Sequence, residues 1–309
     1  MFIAATAWGT GGAVAAMLYD VSGLGPIAVT FWRFAGAVAL LALVALFVRR
    51  SHTIPQPAPK DRWRRIAITG TGLAISQATY FASIEFAGLA IGTVVAIGLS
   101  PILIAVGAHI FLGERLGRLG LLTTSAALAG LALLVVGGTV NPAPAPLLGL
   151  ACAVISALGY AAATLANRHS TSTGPAGGYG SAVTSTLQGF AVGMVCLLPP
   201  ALMEGIWPPT GDMGHTVALM AFLAAVPTAL AYLLFFAALS VVRAATASVI
   251  ALMEPVSATV LAALLLQEHL TVAALAGAAV LLGAVAVLIV GERRAAARRP
   301  VAAPEPMLR

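Results

Sequence analysis

Long apolar stretches follow one another along almost the whole chain of 309 residues, and only short polar segments separate them. A helix that crosses a bilayer needs about 20 predominantly apolar residues. The predicted spans are Met1–Met17, Pro26–Val48, Ile66–Glu85, Ile91–Leu112, Leu119–Gly138, Leu147–Asn167, Ser181–Leu198, Thr216–Leu239, Ala245–Leu266 and Val272–Val290. The longest connection between two spans is under twenty residues, which leaves no room for a separate soluble domain. The pattern predicts an all-α polytopic membrane protein with ten transmembrane helices.

Composition supports the same class of protein. Hydrophobic residues make up 60% of the chain, charged residues make up 8%, and the mean hydropathy is +1.01. A soluble domain carries about 25% charged residues, so most of this surface is expected to face the lipid bilayer. The first segment lacks the positive charge that begins a secretory signal peptide, so we interpret it as a transmembrane span. It is slightly short for a span, which leaves a start upstream of Met1 as an open alternative.

The basic residues are segregated along the chain. With ten spans and a cytoplasmic N-terminus, fifteen of the 16 Lys and Arg residues lie on the cytoplasmic side. They are Arg49, Arg50, Lys60, Arg62, Arg64, Arg65, Arg115, Arg118, Arg168, Arg243, Arg293, Arg294, Arg298, Arg299 and Arg309. This bias predicts that both termini are cytoplasmic. A basic rim beside anionic lipid explains the net charge of +6 without a nucleic-acid partner.

The two halves of the chain resemble each other. Ile91–Leu116 aligns with Ala245–Leu270 at seven of 26 positions, and in both segments a proline is followed thirteen residues later by a glutamate. A weaker similarity relates Trp8-Gly9 to Leu158-Gly159. Because each half has an odd number of spans, equivalent helices must cross the membrane in opposite directions. Many secondary transporters are built from such inverted repeats, with the substrate site near the midplane.

Four segments carry a resemblance to a known family: AWGTGGAV, FWRFAGA, GLSPILIAVGAHIFLGERL and MEPVSATVLAALLLQEHL. With them the chain resembles the EamA-type members of the drug/metabolite transporter superfamily along essentially its whole length. The resemblance implies two five-helix repeats, at 1–140 and 141–292, followed by a basic tail at 293–309. It also implies export of metabolites, amino acids or drugs across a bacterial inner membrane, through a cavity that opens alternately to each side.

Glu254 is the principal candidate for contact with a substrate. It lies near the middle of the ninth predicted span, where an ionised group is costly unless it faces a wet cavity or a partner. One interpretation is a cavity acid that binds a cationic substrate group or a proton. The other is a protonated carboxyl group that holds a helix kink through a hydrogen bond. The equivalent position in the first half is Ser100, so the two halves are not expected to bind equivalently.

Pro101 and Pro255 occupy equivalent positions and lack the N–H groups that would bond to the carbonyls of Ile97 and Ala251. Freed carbonyls at this depth are tolerated where they are buried in protein or line a cavity. The two prolines therefore predict kinks that either bend during transport or serve packing alone.

Other polar and aromatic residues within the spans are weaker candidates for the cavity. Arg33 could pair with Glu85 or Asp20, attract an anionic substrate group, or extend towards the interface. His109 is interpreted either as a hydrogen-bonded packing residue or as a proton relay. The aromatic candidates are Trp8, Tyr80, Tyr160 and Tyr232.

Glu114 and Glu268 end the fourth and ninth predicted spans and are interpreted as structural residues. We expect each carboxylate to accept backbone N–H groups at the start of the next helix.

An enzyme is disfavoured by what the sequence lacks. It contains no nucleotide-binding P-loop and no G-x-S-x-G motif, and its five histidines do not form a metal-binding motif. We therefore expect no cofactor and no metal. The sequence predicts a secondary transporter that exports small metabolites, with protons as a candidate coupling ion. Drug efflux and facilitated diffusion are the alternatives, and an intramembrane enzyme is a weaker one.

Overall fold

The computed structural model describes residues 1–48, 59–114, 117–136, 145–173, 179–209, 212–266 and 271–297, and these residues are almost entirely helical. The α-helices are α1 Phe2–Ser22, α2 Pro26–Val48, α3 Pro59–Leu112, α4 Arg118–Val136, α5 Pro146–Thr173, α6 Tyr179–Glu204, α7 Met213–Leu223, α8 Ala231–Ala238, α9 Ala244–Ala251, α10 Met253–Leu266 and α11 Val272–Ala297. A π-helix, Ala224–Leu230, joins α7 to α8. Three helices begin at a proline, which suits the first turn because its N–H would have no partner there.

The predicted all-α membrane architecture is confirmed. Within the described ranges, nine helical segments are long and apolar enough to cross a bilayer. The remaining predicted span, Ile66–Glu85, is also helical throughout but is not among the nine. Its polar residues explain the weaker signal: Thr69, Thr71, Ser76, Gln77 and Thr79.

Backbone irregularities divide three of the long helical stretches. In α3, Gly88 has a φ of 82°, which separates an arm at 59–87 from an arm at 89–112. Glycine adopts this left-handed region without steric cost. The π-helix contains Pro227, and the ninth predicted span is interrupted at Leu252, between α9 and α10.

Helix packing follows the same pattern in the two halves. In the first half α1 packs against α10, and its counterpart α5 packs against α3. Helix α2 packs against α6, and α4 packs against α11, so both of these pairs join counterpart helices. Exchanging the halves therefore leaves the α2–α6 and α4–α11 pairings unchanged.

Counterpart helices run antiparallel where they meet. On α4, Leu119 lies beside Gly291 of α11, whereas Gly130, eleven residues later, lies beside Gly277. A Cβ atom at Gly130 would be only 2.8 Å from the carbonyl oxygen of Gly277, so the glycines permit this close approach. The same direction is seen between α2 and α6, described below.

The helices α2 and α6 contact each other at two points along their length. The backbone N–H of Ala28 donates to Glu204 Oε2 at 2.5 Å, and the rings of Phe34 and Phe190 are 4.7 Å apart. Because the partner number falls as the position on α2 rises, these helices are also antiparallel. Glu204 thus satisfies an N–H group in the first turn of α2, where helices favour a negative charge.

Candidate functional site

Aromatic side chains from four helical segments meet in the interior. Trp8 of α1 lies edge-on to Tyr232 of α8, with ring centroids 5.0 Å apart, and 5.2 Å from Phe235. Tyr160 of α5 lies 6.0 Å from Phe235, and Phe190 of α6 lies 5.2 Å from Tyr232. Three of the predicted aromatic candidates are therefore brought into one cluster.

Trp8 reaches this cluster because α1 approaches α10 closely at the next residue. A Cβ atom at Gly9 would lie 2.6 Å from Ser257 Cβ and 2.9 Å from the carbonyl oxygen of Glu254. Only glycine fits there without displacing one helix. The indole Nε1 of Trp8 is enclosed and has no hydrogen-bond partner in the described part of the chain. It is an unused donor in the interior.

Arg33 lies in α2 beside the aromatic cluster and is 9% exposed. Its Nε donates a hydrogen bond to Thr228 Oγ1 at 3.1 Å. Among the described residues its Nη atoms have no partner, and they are not fully enclosed either. The guanidinium group is therefore a buried charge without a charged partner in the described part of the chain. It pairs with neither Glu85 nor Asp20, the two partners considered from the sequence.

Glu254 lies on the other side of the same interior, in the first turn of α10. It is deep in the molecule and close enough to Arg33 for their charges to attract, yet part of its side chain remains accessible. The two side chains form no ion pair, and the carboxylate has no hydrogen-bond partner within the described ranges. Two opposite charges therefore lie close to each other in the interior of the bundle without forming an ion pair.

The helix breaks next to Glu254, as the position of Pro255 predicts. Helix α9 ends at Ala251, and the N–H of Leu252 turns back to the carbonyl of Val249 at 3.2 Å. Pro255 cannot supply the N–H that would continue the ladder to Ala251. The interruption places Glu254 in the first turn of α10.

The first half differs at the equivalent position. Ser100 is buried, and its hydroxyl donates to the carbonyl of Ala96 at 2.7 Å within its own helix. Helix α3 continues through Pro101 to Leu112 without a break. Neither residue presents a charge to the interior, so the prediction that the halves bind unequally stays consistent with the packing.

Tyr80 bridges the two arms of α3. Its hydroxyl is 3.3 Å from Thr93 Oγ1, across the turn at Gly88. The phenol is also close enough to Glu254 for an electrostatic interaction with the carboxylate. Part of the Tyr80 side chain is accessible although it lies deep in the molecule. The structure therefore places Tyr80 near the interior group.

His109 lies apart from this group. Its side chain is exposed on α3 beside Ile110 and Phe111, which are 66% and 72% exposed. These apolar neighbours indicate a surface that faces lipid. The structure does not bring His109 to the interior cavity.

Glu114 joins three separate elements at one end of the bundle. It forms an ion pair with Arg168 of α5, with Nε and Oε1 2.7 Å apart, and accepts the backbone N–H of Ala244 at 3.1 Å. Arg168 also donates to the carbonyl of Leu239 at 2.7 Å. The expected N–H contact is present, but the helix was wrong: Ala244 begins α9, whereas the next helix along the chain is α4. Glu268, the equivalent residue, lies outside the described residues.

Thr228 is the interior residue that the sequence reasoning missed. It is fully buried in the π-helix, and its hydroxyl donates to the carbonyl of Leu223 at 2.7 Å while accepting from Arg33. A hydroxyl directly after a proline within an apolar span was the available signal. The partnership with Arg33 could not be seen, because the two residues are 195 positions apart.

The comparisons with known proteins agree with this architecture. The sequence matches the EamA-like transporter family over residues 1–136 and again over 147–290. No curated protein matches the sequence significantly. A solved structure described as "Crystal structure of protein" has a TM-score of 0.76, with 21% identity over 93% of this chain and 96% of that chain. At this identity the likeness supports the fold alone.

These observations define a multi-pass α-helical membrane protein. Because the family match covers nearly the whole chain in two consecutive repeats, the chain belongs to the EamA-like transporter family. It is therefore a membrane transporter, not an enzyme.

Proposed function

We propose that this protein is a secondary transporter that exports small metabolites, such as amino acids, by alternating access to its interior cavity. The observation that carries the proposal is that Arg33 and Glu254 lie close together in the interior without forming an ion pair. Charged side chains within a membrane span are costly and usually mark a substrate or ion pathway. Here neither charge is neutralised by the other, so both are available to a ligand that enters.

The pair of opposite charges favours a substrate that carries both signs. A carboxylate can accept two parallel hydrogen bonds from the Nη atoms of Arg33, and an ammonium group can bind Glu254. The aromatic cluster around Trp8 and Tyr232 adds apolar surface for the remainder of a small molecule. Efflux of drugs is the competing function, and the same cluster would then dominate binding.

The inverted arrangement of the repeats, 1–140 and 141–292, is part of this proposal. The antiparallel packing of α2 with α6 and of α4 with α11 supports it, since these are counterpart helices. In such repeats, exchanging the conformations of the two halves converts an inward-open state to an outward-open one. We place the protein in a bacterial inner membrane with both termini in the cytoplasm, on the strength of the basic residues.

Reconstituted liposomes test the substrate class. The probes are three radiolabelled compounds: L-alanine, its amide, which lacks the carboxylate, and its N-acetyl derivative, which lacks the ammonium group. We expect counterflow of alanine and little of either derivative, because each lacks one contact with Arg33 or Glu254. Equal counterflow of all three would contradict recognition of both charges.

Proton coupling is tested in the same liposomes. An imposed pH gradient should drive accumulation of alanine if Glu254 exchanges a proton during the cycle. Accumulation that ignores the gradient would instead support facilitated diffusion.

Replacing the acid tests its role directly. We expect Glu254→Gln to lower the transport rate about tenfold or more, because a hydrogen bond to a charged group is lost. Glu85→Gln is the matched control, since Glu85 is an exposed acid of α3. If Glu254→Gln transports normally but yields little folded protein, Glu254 holds the helix break instead.

A further inference from the structure

The interior arginine is held by one side chain. Arg33 Nε donates to Thr228 Oγ1 at 3.1 Å, and Thr228 Oγ1 donates to the carbonyl of Leu223 at 2.7 Å. A threonine hydroxyl has one hydrogen to donate and two lone pairs that accept. Since its hydrogen is directed at Leu223, its oxygen can only accept from Arg33. The hydroxyl is therefore oriented before any substrate arrives.

The π-helix creates this orientation. Pro227 has no N–H, so it cannot donate to the carbonyl of Leu223, four residues before it. The wider turn at Ala224–Leu230 brings the hydroxyl of Thr228 within reach of that same carbonyl. Single π-helical turns within α-helices frequently occur at functional sites.

Close packing fixes the turn against α1 and α2. A Cβ atom at Gly36, one turn after Arg33, would lie 2.6 Å from Ala224 Cβ, and one at Gly11 would lie 3.2 Å from Pro227 Cβ. Both glycines let their helices approach the π-helix. Backbone packing therefore sets how far α2 lies from the π-helix at Arg33 and Thr228.

We propose that Thr228 is a positioning residue for Arg33: its hydroxyl anchors Nε, so that the two Nη atoms face the interior cavity. This inference rests on the proposed function, in which Arg33 binds the anionic group of the substrate. Without the anchor the guanidinium group can rotate about its side-chain torsions, and ordering it again weakens substrate binding.

The test compares Thr228→Val, which removes the hydroxyl at nearly constant volume, with Thr228→Ser, which keeps it. Thr30→Val is the matched control, because Thr30 is fully buried on the helix of Arg33 and its hydroxyl bonds only to the carbonyl of Pro26. The transport probes are radiolabelled L-alanine, L-leucine and L-phenylalanine in liposomes. We expect Thr228→Val to raise KM about tenfold, while Thr228→Ser and Thr30→Val stay within about twofold of the wild type.

A second measurement does not depend on transport. In detergent, with isotope-labelled arginine, the Nε–H signal of Arg33 is assigned by its loss in Arg33→Lys. Its hydrogen exchange should be about tenfold faster in Thr228→Val and slow again in Thr228→Ser. Thr228→Ala replaces Thr228→Val if the latter does not fold.

The outcomes separate the two proposals. If the wild type moves none of the three amino acids but the exchange pattern holds, the substrate class is wrong and the anchor is right. If Thr228→Val and Thr30→Val behave alike in both measurements, or Thr228→Ser does not recover, Thr228 does not position Arg33. A lower maximal rate with unchanged KM in Thr228→Val would also overturn the inference, because the loss would then lie in the conformational step.

Discussion

Gly9 shows how one residue without a side chain sets the position of an aromatic one. Its Cα faces backbone atoms of α10, which cannot move aside as the end of a flexible side chain can. The neighbouring Trp8 is thereby placed against Tyr232, in the interior cluster. The pairing of a tryptophan with a glycine at this point has a physical reason. Gly9 lets α1 approach α10 closely, and the adjacent Trp8 packs into the aromatic cluster.

Gly9→Ala should destabilise the protein by about 1–3 kcal/mol, because the added methyl group overpacks the contact. It would lie 2.6 Å from Ser257 Cβ and 2.8 Å from the backbone nitrogen of Ala258. Thermal unfolding in detergent measures the effect. Gly12→Ala is the control, since a Cβ atom there meets no other atom within 4 Å. Equal unfolding temperatures for the two variants would contradict the close approach.

At this scale the sequence predicted which residues lie in the interior better than what each one contacts. Trp8, Tyr160 and Tyr232 meet in one cluster, and Glu254 lies close to Arg33. His109 could not be placed from the sequence, because the direction of a side chain around a uniformly apolar helix leaves no periodic signal. The sequence indicates how far along its span His109 lies, but it does not indicate which face of the helix carries the side chain.

Among the helices, the two prolines have unequal effects. Pro255 coincides with a break between α9 and α10, whereas α3 runs through Pro101. The sequence repeat indicated that the two prolines are equivalent. The extent of each kink depends on what the freed carbonyls contact, and those contacts come from distant parts of the chain. For the same reason the division of the eighth span by a π-helix at Pro227 was not foreseen.

Glu114 fastens the start of α9 to α3 and α5 at one end of the bundle. Beside it, Arg243 pairs with Glu292 of α11, and both line a crevice together with Thr246. These contacts tie the ends of four helices together. In the proposed transport cycle, these contacts would have to separate for this end of the bundle to open.

Glu114→Gln should therefore open the crevice more often. We expect a cysteine introduced at Thr246, which is 6% exposed, to react with a maleimide about tenfold faster, because a charge-assisted contact is lost. The background protein has Cys152 and Cys196 replaced by serine. Glu85→Gln serves as the control. An equal labelling rate in both variants would show that the contacts of Glu114 do not hold the crevice closed.

On the scale of the whole molecule, the odd number of spans in each half predicts the antiparallel packing of counterpart helices. That prediction needed only the span count and the repeat at Pro101 and Pro255. The partners of the individual glycines could not be predicted. Gly9 meets α10 and Gly159 meets Gly72 of α3, although the sequence aligns them as equivalents, because small residues permit approach without specifying by which helix.

Labelling of single cysteines tests the arrangement in the membrane. An impermeant thiol reagent should reach Arg64→Cys and Arg294→Cys only in inside-out vesicles, and Met213→Cys only in intact cells, in a background without Cys152 and Cys196. These three positions are exposed. Reaction of the Arg64 and Arg294 sites from opposite faces of the bilayer would rule out ten spans with both termini on one side.

The difference between Ser100 and Glu254 has an energetic consequence for the cycle. In a protein with two identical inverted halves, the states open to either side would be related by a two-fold rotation and have equal free energy, so an empty carrier would spend the same time in each. Here one half has a carboxylate and a broken helix where the other has a hydroxyl and a continuous one. The empty carrier should therefore populate one of the two states more than the other. Substrate binding then acts either against this difference in population or with it.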